Sequence, residues 1–170
     1  MDREELRATQ RPIKERYRAE PDAALVTLRA EGRLDEQDIA CSVETGRALV
    51  QAGLHPATGG SGTLACSGDM LLEALVACAG VTLRSVATSL DIPVTGSVRA
   101  EGDLDFRGTL GVEGEAPVGF SAIRLIFDLD GEATEEQLAT LLRLTERYCV
   151  VYQTLAGGVP VSVARDGGTD

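Results

Sequence analysis

The chain has 170 residues, of which 44% are hydrophobic, 25% charged and 4% aromatic, a composition typical of one globular domain with an aliphatic core. Its formal net charge of -11 at pH 7 would repel nucleic acid and anionic membrane surfaces, so neither is an expected partner. The four cysteines (Cys41, Cys66, Cys78 and Cys149) show no C-x-x-C or C-x-x-H spacing, and we therefore expect no structural metal.

The first 22 residues are polar and carry alternating charges, which favours a solvated helical arm or a frayed end over a secretion signal. We therefore expect a cytoplasmic protein, in which thiols stay reduced and a disulfide would be catalytic or redox-sensing. One domain is expected over residues 23–165, followed by a polar tail at 166–170.

Two short strands are predicted after the arm. Residues 24–32 and 38–46 each alternate apolar with polar side chains, which is the period of a half-buried strand, and together they predict a hairpin. Cys41 is then a small core residue. Residues 55–69 are rich in Gly, Ser and Thr, which predicts a flexible loop at the rim of a site, and they lack the glycine-rich motifs of phosphate-binding loops.

A central helix is predicted over residues 69–90, which are apolar on almost every side and would span roughly 30 Å. Such a helix must be buried all round. Asp69, Glu73 and Arg84 cut the apolar run below the ~20 residues that a membrane span requires. Because one small chain offers few elements to cover this helix, we expect a homodimer.

The remaining elements are two strands, a second helix and a last strand. Residues 94–108 and 119–131 predict strands of a sheet with one covered face. Thr134 and Gln137 form a capping box that opens a second helix ending near Cys149. Residues 158–166 contain alternating valines that predict a final strand. This order of strands and helices indicates an α+β fold.

The residues alone leave the role of Cys78 open. A thiol reacts with peroxide as the thiolate, which requires partial access and a positive or hydrogen-bond-donating neighbour. The neighbours of Cys78 one helical turn away are largely apolar: Ala74, Leu75, Val81 and Thr82. Cys78 is thus either an inert core residue or a reactive thiol in an apolar pocket. Cys66, just before the helix, is a rival nucleophile.

The segment DMLLEALVACAGVTLRSVA resembles the signature helix of OsmC/Ohr proteins, in which a Leu-Leu-x-Ala-Leu-x-x-Cys run carries the reactive cysteine. Residues 105–131 and 134–149 are similar to the sheet segment and the second helix of that family, and the likeness covers residues 23–165. The resemblance implies an OsmC-like fold, in which antiparallel sheets wrap around long central helices in an intertwined homodimer.

The activity that this resemblance implies is reduction of organic hydroperoxides, with Cys78 attacking and Cys149 resolving. A sulfenic acid at Cys78 would condense with Cys149, and a dithiol such as lipoamide would return the electrons. No cofactor is needed. The apolar lining favours alkyl or lipid-derived hydroperoxides. Two alternatives remain, a non-enzymatic protein of the same fold that binds an apolar small molecule in this pocket, and a stress-associated dimer whose cysteines only pack.

Two positions depart from the family pattern. Asp69 keeps a carboxylate close to the place of the family's Asn-Pro-Glu or Ser-Pro-x-Glu element, but it could equally be a helix cap favoured by the dipole. Val150 stands where proline commonly follows the second cysteine.

Peroxidases of the family also use an arginine to hold the thiolate, because a guanidinium is always charged and offers several donors. Arg47 is the candidate here, with a solvated surface role as the other interpretation; Arg18 or Arg33 could serve instead. His55 is the only histidine, and its HPATGG context favours a turn residue over a general base.

Overall fold

The structure is a computed structural model that describes residues 2–19, 31–34, 40–44, 49–111 and 116–165. The helices are α1 (Arg3–Ala19), α2 (Ser67–Leu90), α3 (Phe106–Thr109), α4 (Glu135–Tyr148) and α5 (Val150–Gly157). The strands are β1 (Glu31–Leu34), β2 (Ala40–Glu44), β3 (Leu49–Gly53), β4 (Ala65–Cys66), β5 (Thr95–Leu104) and β6 (Phe120–Asp130). The fold is α+β, as predicted, and α1 confirms the helical form of the N-terminal arm.

The strands form two sheets. One has the order β1-β2-β3-β4, and the other pairs β5 with β6 in antiparallel register. The predicted antiparallel pairing of the first two strands is confirmed, but β1 overlaps the predicted first strand only at residues 31–32 and extends to Leu34, which lies opposite Cys41. The prediction for residues 24–30 lies outside the described part of the chain. Strands β3 and β4 were not predicted, and β4, a parallel neighbour of β3, lies within the segment expected to be a loop.

Helix α2 is the central helix, with 24 residues and a length of about 36 Å. Asp69 lies in its first turn, where a carboxylate interacts favourably with the helix dipole. The helix ends at Asp91, which adopts a left-handed conformation with φ of 60°. The Asp91 N–H donates back to the carbonyls of the last turn, an arrangement that closes many helices.

Only one face of α2 is buried within the chain. Its buried residues recur every four positions: Leu75, Ala79, Leu83 and Ala87. Val81, on another face, is 73% exposed. The prediction of a helix buried all round is therefore wrong for the single chain, because β5, α4, α5 and α1 cover only part of its circumference.

By length and apolar composition, α2 is the one helix among the described residues that could cross a membrane. It makes extensive contacts with β5, α4 and α5 of its own chain. Core helices of water-exposed domains share this apolar composition. We therefore interpret α2 as the core helix of the domain.

The hydrophobic core lies between α2 and the elements that follow it. Leu83 and Leu141 join α2 to α4, and partly buried Phe127 and Leu129 of β6 complete this cluster. Side chains of this size each stabilise the fold by about 1.5–3 kcal/mol when fully buried. From residue 123 to residue 129, every second residue of β6 packs against the core, as the alternation predicted: Ile123, Leu125, Phe127 and Leu129.

Helix α4 begins with the predicted capping box. The Thr134 side chain accepts a hydrogen bond from the Gln137 N–H, and the Gln137 side chain accepts one from the Thr134 N–H. The helix ends at Tyr148, as predicted, but α5 follows after the single residue Cys149. Helix α5 was not predicted, because its sequence VVYQTLAG is short and holds several residues of weak helix propensity.

The predicted last strand is not present in the chain. Residues 159–165 have no regular secondary structure, and Val159, Val161 and Val163 are 53%, 85% and 97% exposed. The prediction from alternating valines is therefore wrong for the single chain. A strand requires a neighbouring strand to satisfy its backbone groups, and among the described residues no strand pairs with this segment.

Candidate functional site

Cys78 lies in the middle of α2, on the side of the helix that faces α5. Its side chain is half-buried and packs against a cluster formed by Leu75, Ala79 and Cys149. Apolar residues of β5 and β6 close this cluster from the sheet side. The structure thus brings together two cysteines that are 71 positions apart in the sequence.

Cys149 is the junction between α4 and α5. Its N–H donates to the Thr145 carbonyl at 2.9 Å, its carbonyl accepts from the Gln153 N–H at 2.9 Å, and its own backbone is extended. This geometry ends one helix and starts the next. The Cys149 side chain is fully buried, with 0% exposure, so it is accessible only through its contact with Cys78 or through movement of α5.

The first turn of α5 and the side chain of Cys78 pack against the same apolar cluster. Burial raises the pKa of the Cys78 thiol, but hydrogen bonds from the Val151 N–H, the Cys149 side chain, the Val150 N–H and the Thr82 hydroxyl together lower it below its ordinary value. The N–H groups at the start of a helix have no partner within the helix, and no side chain caps α5. They are therefore available to a thiolate, which the helix dipole also favours.

The pKa of Cys149 moves in the opposite direction. Burial raises it most, and the hydrogen bond and negative charge of Cys78 raise it further, while the Tyr152 and Val151 N–H groups only partly compensate. Cys78 thus favours the thiolate form, and Cys149 favours the neutral thiol. Such a pair can perform attack with the first sulfur and resolution with the second.

An apolar cavity of about 370 Å³ shares part of its wall with the cluster around Cys149, although neither Cys78 nor Cys149 lines it. Leu75, Ile123, Leu125 and Tyr152 line it, and the same residues pack in the cluster around Cys149. Phe120 and Leu155 close other parts of its wall. The cavity can therefore hold a small apolar group against the side chains that it shares with the cysteine cluster.

Asp69 and Cys66 lie in a different place. Both line a second cavity of about 380 Å³ near the start of α2, together with His55, Phe106 and Phe120. Asp69 is nine residues from Cys78 on the same helix, a separation of about 13 Å along the axis. The structure therefore does not bring Asp69 to the cysteine pair, and Cys66 is farther away still, at roughly 18 Å.

His55 is a turn residue, as expected. Its Nδ1 accepts a hydrogen bond from the Ala57 N–H at 3.0 Å, and its ring stacks on Phe106 with centroids 4.7 Å apart. Since Nδ1 is engaged as an acceptor, the neutral ring carries its proton on Nε2.

Arg47 lies outside the described residues, and the side chains of Arg18 and Arg33 are also outside the described part. Arg84, on α2, donates to the Val94 carbonyl at 2.8 Å. Among the described residues, no arginine, lysine or carboxylate is a cause of the pKa shifts of Cys78 and Cys149. The arginine of the site therefore stays a prediction.

Sequence reasoning missed the donors in the site. Thr82 was identified only as a neighbour of Cys78, and Val150 was identified only as a position that departs from the family pattern. The sequence gave little indication of these donors at the start of α5, because every residue except proline has a backbone N–H group. The missing proline was the available clue, since valine has an N–H to donate and proline has none.

Comparisons with known proteins identify the family and the fold of the chain. A family model described as OsmC-like protein matches residues 60–164. No curated protein gives a significant match.

Solved structures show the same fold. An OsmC-like protein from Mycoplasma pneumoniae is 16% identical, with a TM-score of 0.62 over 78% of this chain and 89% of its own. The organic hydroperoxide resistance protein OsmC of Legionella pneumophila is 18% identical, with a TM-score of 0.61 over 79% and 92% of the two chains. An organic hydroperoxide resistance protein from Elizabethkingia anophelis is 18% identical, with a TM-score of 0.61 over 79% and 91%. With the family model matching more than half of its length, the chain belongs to the OsmC-like protein family.

Proposed function

We propose that the chain is a thiol-dependent peroxidase that reduces organic hydroperoxides through Cys78 and Cys149. The observation that carries the proposal is the contact between a half-buried thiol with a lowered pKa and a fully buried thiol with a raised pKa. The first suits attack and the second suits resolution. Two relatives named organic hydroperoxide resistance proteins support the same class of reaction.

The proposed reaction has three steps. The Cys78 thiolate attacks the outer oxygen of the hydroperoxide, the O–O bond breaks, and the alkoxide takes up a proton and leaves as the alcohol. Cys78 is now a sulfenic acid. The Cys149 thiol attacks its sulfur, and a disulfide forms with release of water. An external dithiol such as lipoamide then reduces this disulfide by exchange and is itself oxidised to a disulfide.

The apolar cavity that shares wall residues with the cysteine cluster supports an organic substrate. Its walls are mostly apolar, so an alkyl or aryl group gains binding free energy there, at about 0.8 kcal/mol for each CH₂ group that it buries. Hydrogen peroxide has no such group. We place the reaction in the cytoplasm, because a reducing compartment keeps the pair ready for the next cycle.

The test is a turnover assay with the purified full-length chain. Cumene hydroperoxide and dihydrolipoamide are supplied, and loss of the hydroperoxide is followed. We expect catalytic consumption, with kcat/KM for cumene hydroperoxide about tenfold or more above that for hydrogen peroxide, since an aryl group in an apolar pocket favours binding. An absence of consumption with any dithiol or hydroperoxide would contradict the proposal.

A second candidate is a non-enzymatic protein of the same fold that binds an apolar small molecule in the cavity near Cys149. The position of Asp69 favours this alternative, because Asp69 lies about 13 Å along α2 from Cys78. The same assay separates the two candidates. A binding protein would bind the apolar hydroperoxide without consuming it catalytically.

A homodimer is part of the proposal. Apolar side chains that one chain leaves exposed occur on α2, on α5 and in residues 159–163, among them Val81, Val150 and Val161. Large exposed apolar patches are unusual on monomers and mark interfaces. We propose that a second copy of the chain covers this apolar surface, because the apolar face of α2 runs along the middle of the domain.

Light scattering is expected to give about twice the chain mass of 17.9 kDa at micromolar concentration. Val81→Arg places a charge on the exposed apolar face and should shift the mass toward the monomer. Arg99→Ala, on the exposed side of β5, is the matched control and should leave the mass unchanged. A wild-type monomer that unfolds cooperatively would contradict this part of the proposal.

A further inference from the structure

Phe120 is the first residue of β6, and a β-bulge turns its side chain toward the core face of the sheet. The register of β5 and β6 shifts between Asp103 and Leu104. Phe120 lies opposite Leu104, which leaves Ser121 as an extra residue of β6. The Ser121 hydroxyl donates to the Asp103 carbonyl at 3.1 Å. Strict alternation from Ile123 would place Phe120 on the outer face, and the extra residue reverses this.

Two glycines make room for the Phe120 ring. A Cβ added at Gly102 of β5 would lie 2.6 Å from Cδ1 of Phe120, well inside the contact distance of two carbon atoms. A Cβ added at Gly68, in the first turn of α2, would lie 3.5 Å from Cζ at the tip of the ring. The ring therefore lies directly against the backbone of β5 and reaches across to the start of α2.

The Phe120 ring stands between the two cavities. Among the described residues that line them, Phe120 is the one that lines both. On one side is the apolar cavity of about 370 Å³, with Leu75 and Ile123 in its wall. On the other side is the second cavity of about 380 Å³, where Leu72 and Leu104 offer apolar surface. Without the ring the two spaces would join, and the room open to an alkyl chain would roughly double.

Phe120 lies at the end of the apolar cavity that is remote from the cysteines. Leu75 is one helical turn before Cys78, packs in the cluster around Cys149 and lines the apolar cavity. Gly68, at the tip of the Phe120 ring, is ten residues before Cys78, about 15 Å along the axis of α2. An organic group whose reacting atom is at Cys78 therefore passes Leu75 first and meets the ring last.

We propose that Phe120 is the specificity-determining residue of the chain, because its ring closes the remote end of the apolar cavity and limits the length of the organic group that the chain accepts. Compact hydroperoxides such as cumene hydroperoxide fit in front of the ring. Long-chain alkyl hydroperoxides require the ring to move. This inference rests on the proposed function for the reaction, but the limit on length also applies to other reagents that reach Cys78 through the cavity.

The test compares a long and a short reagent at Cys78. The full-length chain is treated with N-dodecylmaleimide or N-ethylmaleimide, and mass spectrometry of the Cys78 peptide gives each rate of modification. Both reagents are uncharged, because Asp69 lines the second cavity and would repel a carboxylate. Phe120→Ala should raise the dodecyl-to-ethyl ratio of rates by about tenfold or more, since each CH₂ group that becomes buried favours binding about fourfold. The ratio of kcat/KM for dodecyl hydroperoxide to that for cumene hydroperoxide should rise in the same way.

A matched variant separates this effect from general loosening of the domain. Phe106→Ala removes a ring that lines the second cavity but not the apolar cavity, and it should leave both ratios unchanged. Phe120→Leu keeps a smaller apolar side chain at the boundary and should raise both ratios by about threefold. If Phe120→Ala does not fold, Phe120→Leu carries the test with this smaller expected rise.

The outcomes distinguish the role of Phe120 from the proposed function. A maleimide ratio that the Phe120 variants do not raise would overturn the role of the ring, even if the wild type consumes cumene hydroperoxide. A rise in the Phe120 variants supports it, even if the wild type consumes no hydroperoxide, in which case the proposed function alone fails. An equal rise in Phe106→Ala would also overturn the inference, because the effect would then not depend on the ring between the cavities.

Discussion

Cys78→Ser is expected to abolish hydroperoxide consumption, lowering kcat/KM by roughly three orders of magnitude or more. A serine hydroxyl in the same position does not ionise at neutral pH, so the N–H groups at the start of α5 have no anion to stabilise. The fold should be retained, because serine is close to cysteine in size and Cys78 is only half-buried. The measurement is the rate of cumene hydroperoxide loss with dihydrolipoamide.

Cys66→Ser is the matched control for this prediction. Cys66 also precedes a helix, but it lines the other cavity and lies roughly 18 Å along α2 from the pair. We expect this variant to keep the wild-type rate. If Cys66→Ser is inactive while Cys78→Ser is active, the nucleophile is Cys66, and the cavity near His55 and Asp69 becomes the candidate site.

Cys149→Ser is expected to stop the reaction after one turnover. The Cys78 thiolate remains, so it still attacks the first equivalent of hydroperoxide, but the sulfenic acid has no neighbouring thiol with which to condense. A burst of one equivalent for each chain should be followed by a slow phase. Dimedone should label Cys78 in this variant and not in the wild type, and mass spectrometry reads out the label.

A steady rate in Cys149→Ser equal to that of the wild type would contradict the two-cysteine mechanism. In that case the external thiol reduces the sulfenic acid directly. Cys66→Ser again provides the comparison, because it removes a thiol that the structure keeps away from Cys78. It should retain full turnover and gain no dimedone label.

The sequence predicted the elements whose signals are local. The apolar run of α2 and the capping box at Thr134 each depend on neighbouring residues, and both are confirmed. The prediction of a strand at residues 158–166 was wrong, because alternation shows that a segment can form a strand but does not provide the strand that pairs with it. The same holds for the exposed face of α2, which the described elements of the single chain leave uncovered.

The site was less accessible to sequence reasoning. Periodicity alone did not decide whether Cys78 is a core residue or a reactive thiol. The family resemblance was needed to identify it as the reactive cysteine and to pair it with Cys149. The groups that lower its pKa include two backbone N–H groups from a helix that the sequence did not predict. Val150 was interpreted as a weakened match, yet its backbone N–H is one of the groups that lower the pKa of Cys78.

The most direct test of the account is to map the cysteines after one equivalent of oxidant. The reduced chain receives one equivalent of cumene hydroperoxide, is alkylated and digested, and its disulfides are identified by mass spectrometry. The account predicts a disulfide between Cys78 and Cys149, with Cys66 still a free thiol. A Cys78 that remains reduced, or a disulfide that includes Cys66 in place of Cys149, would contradict it.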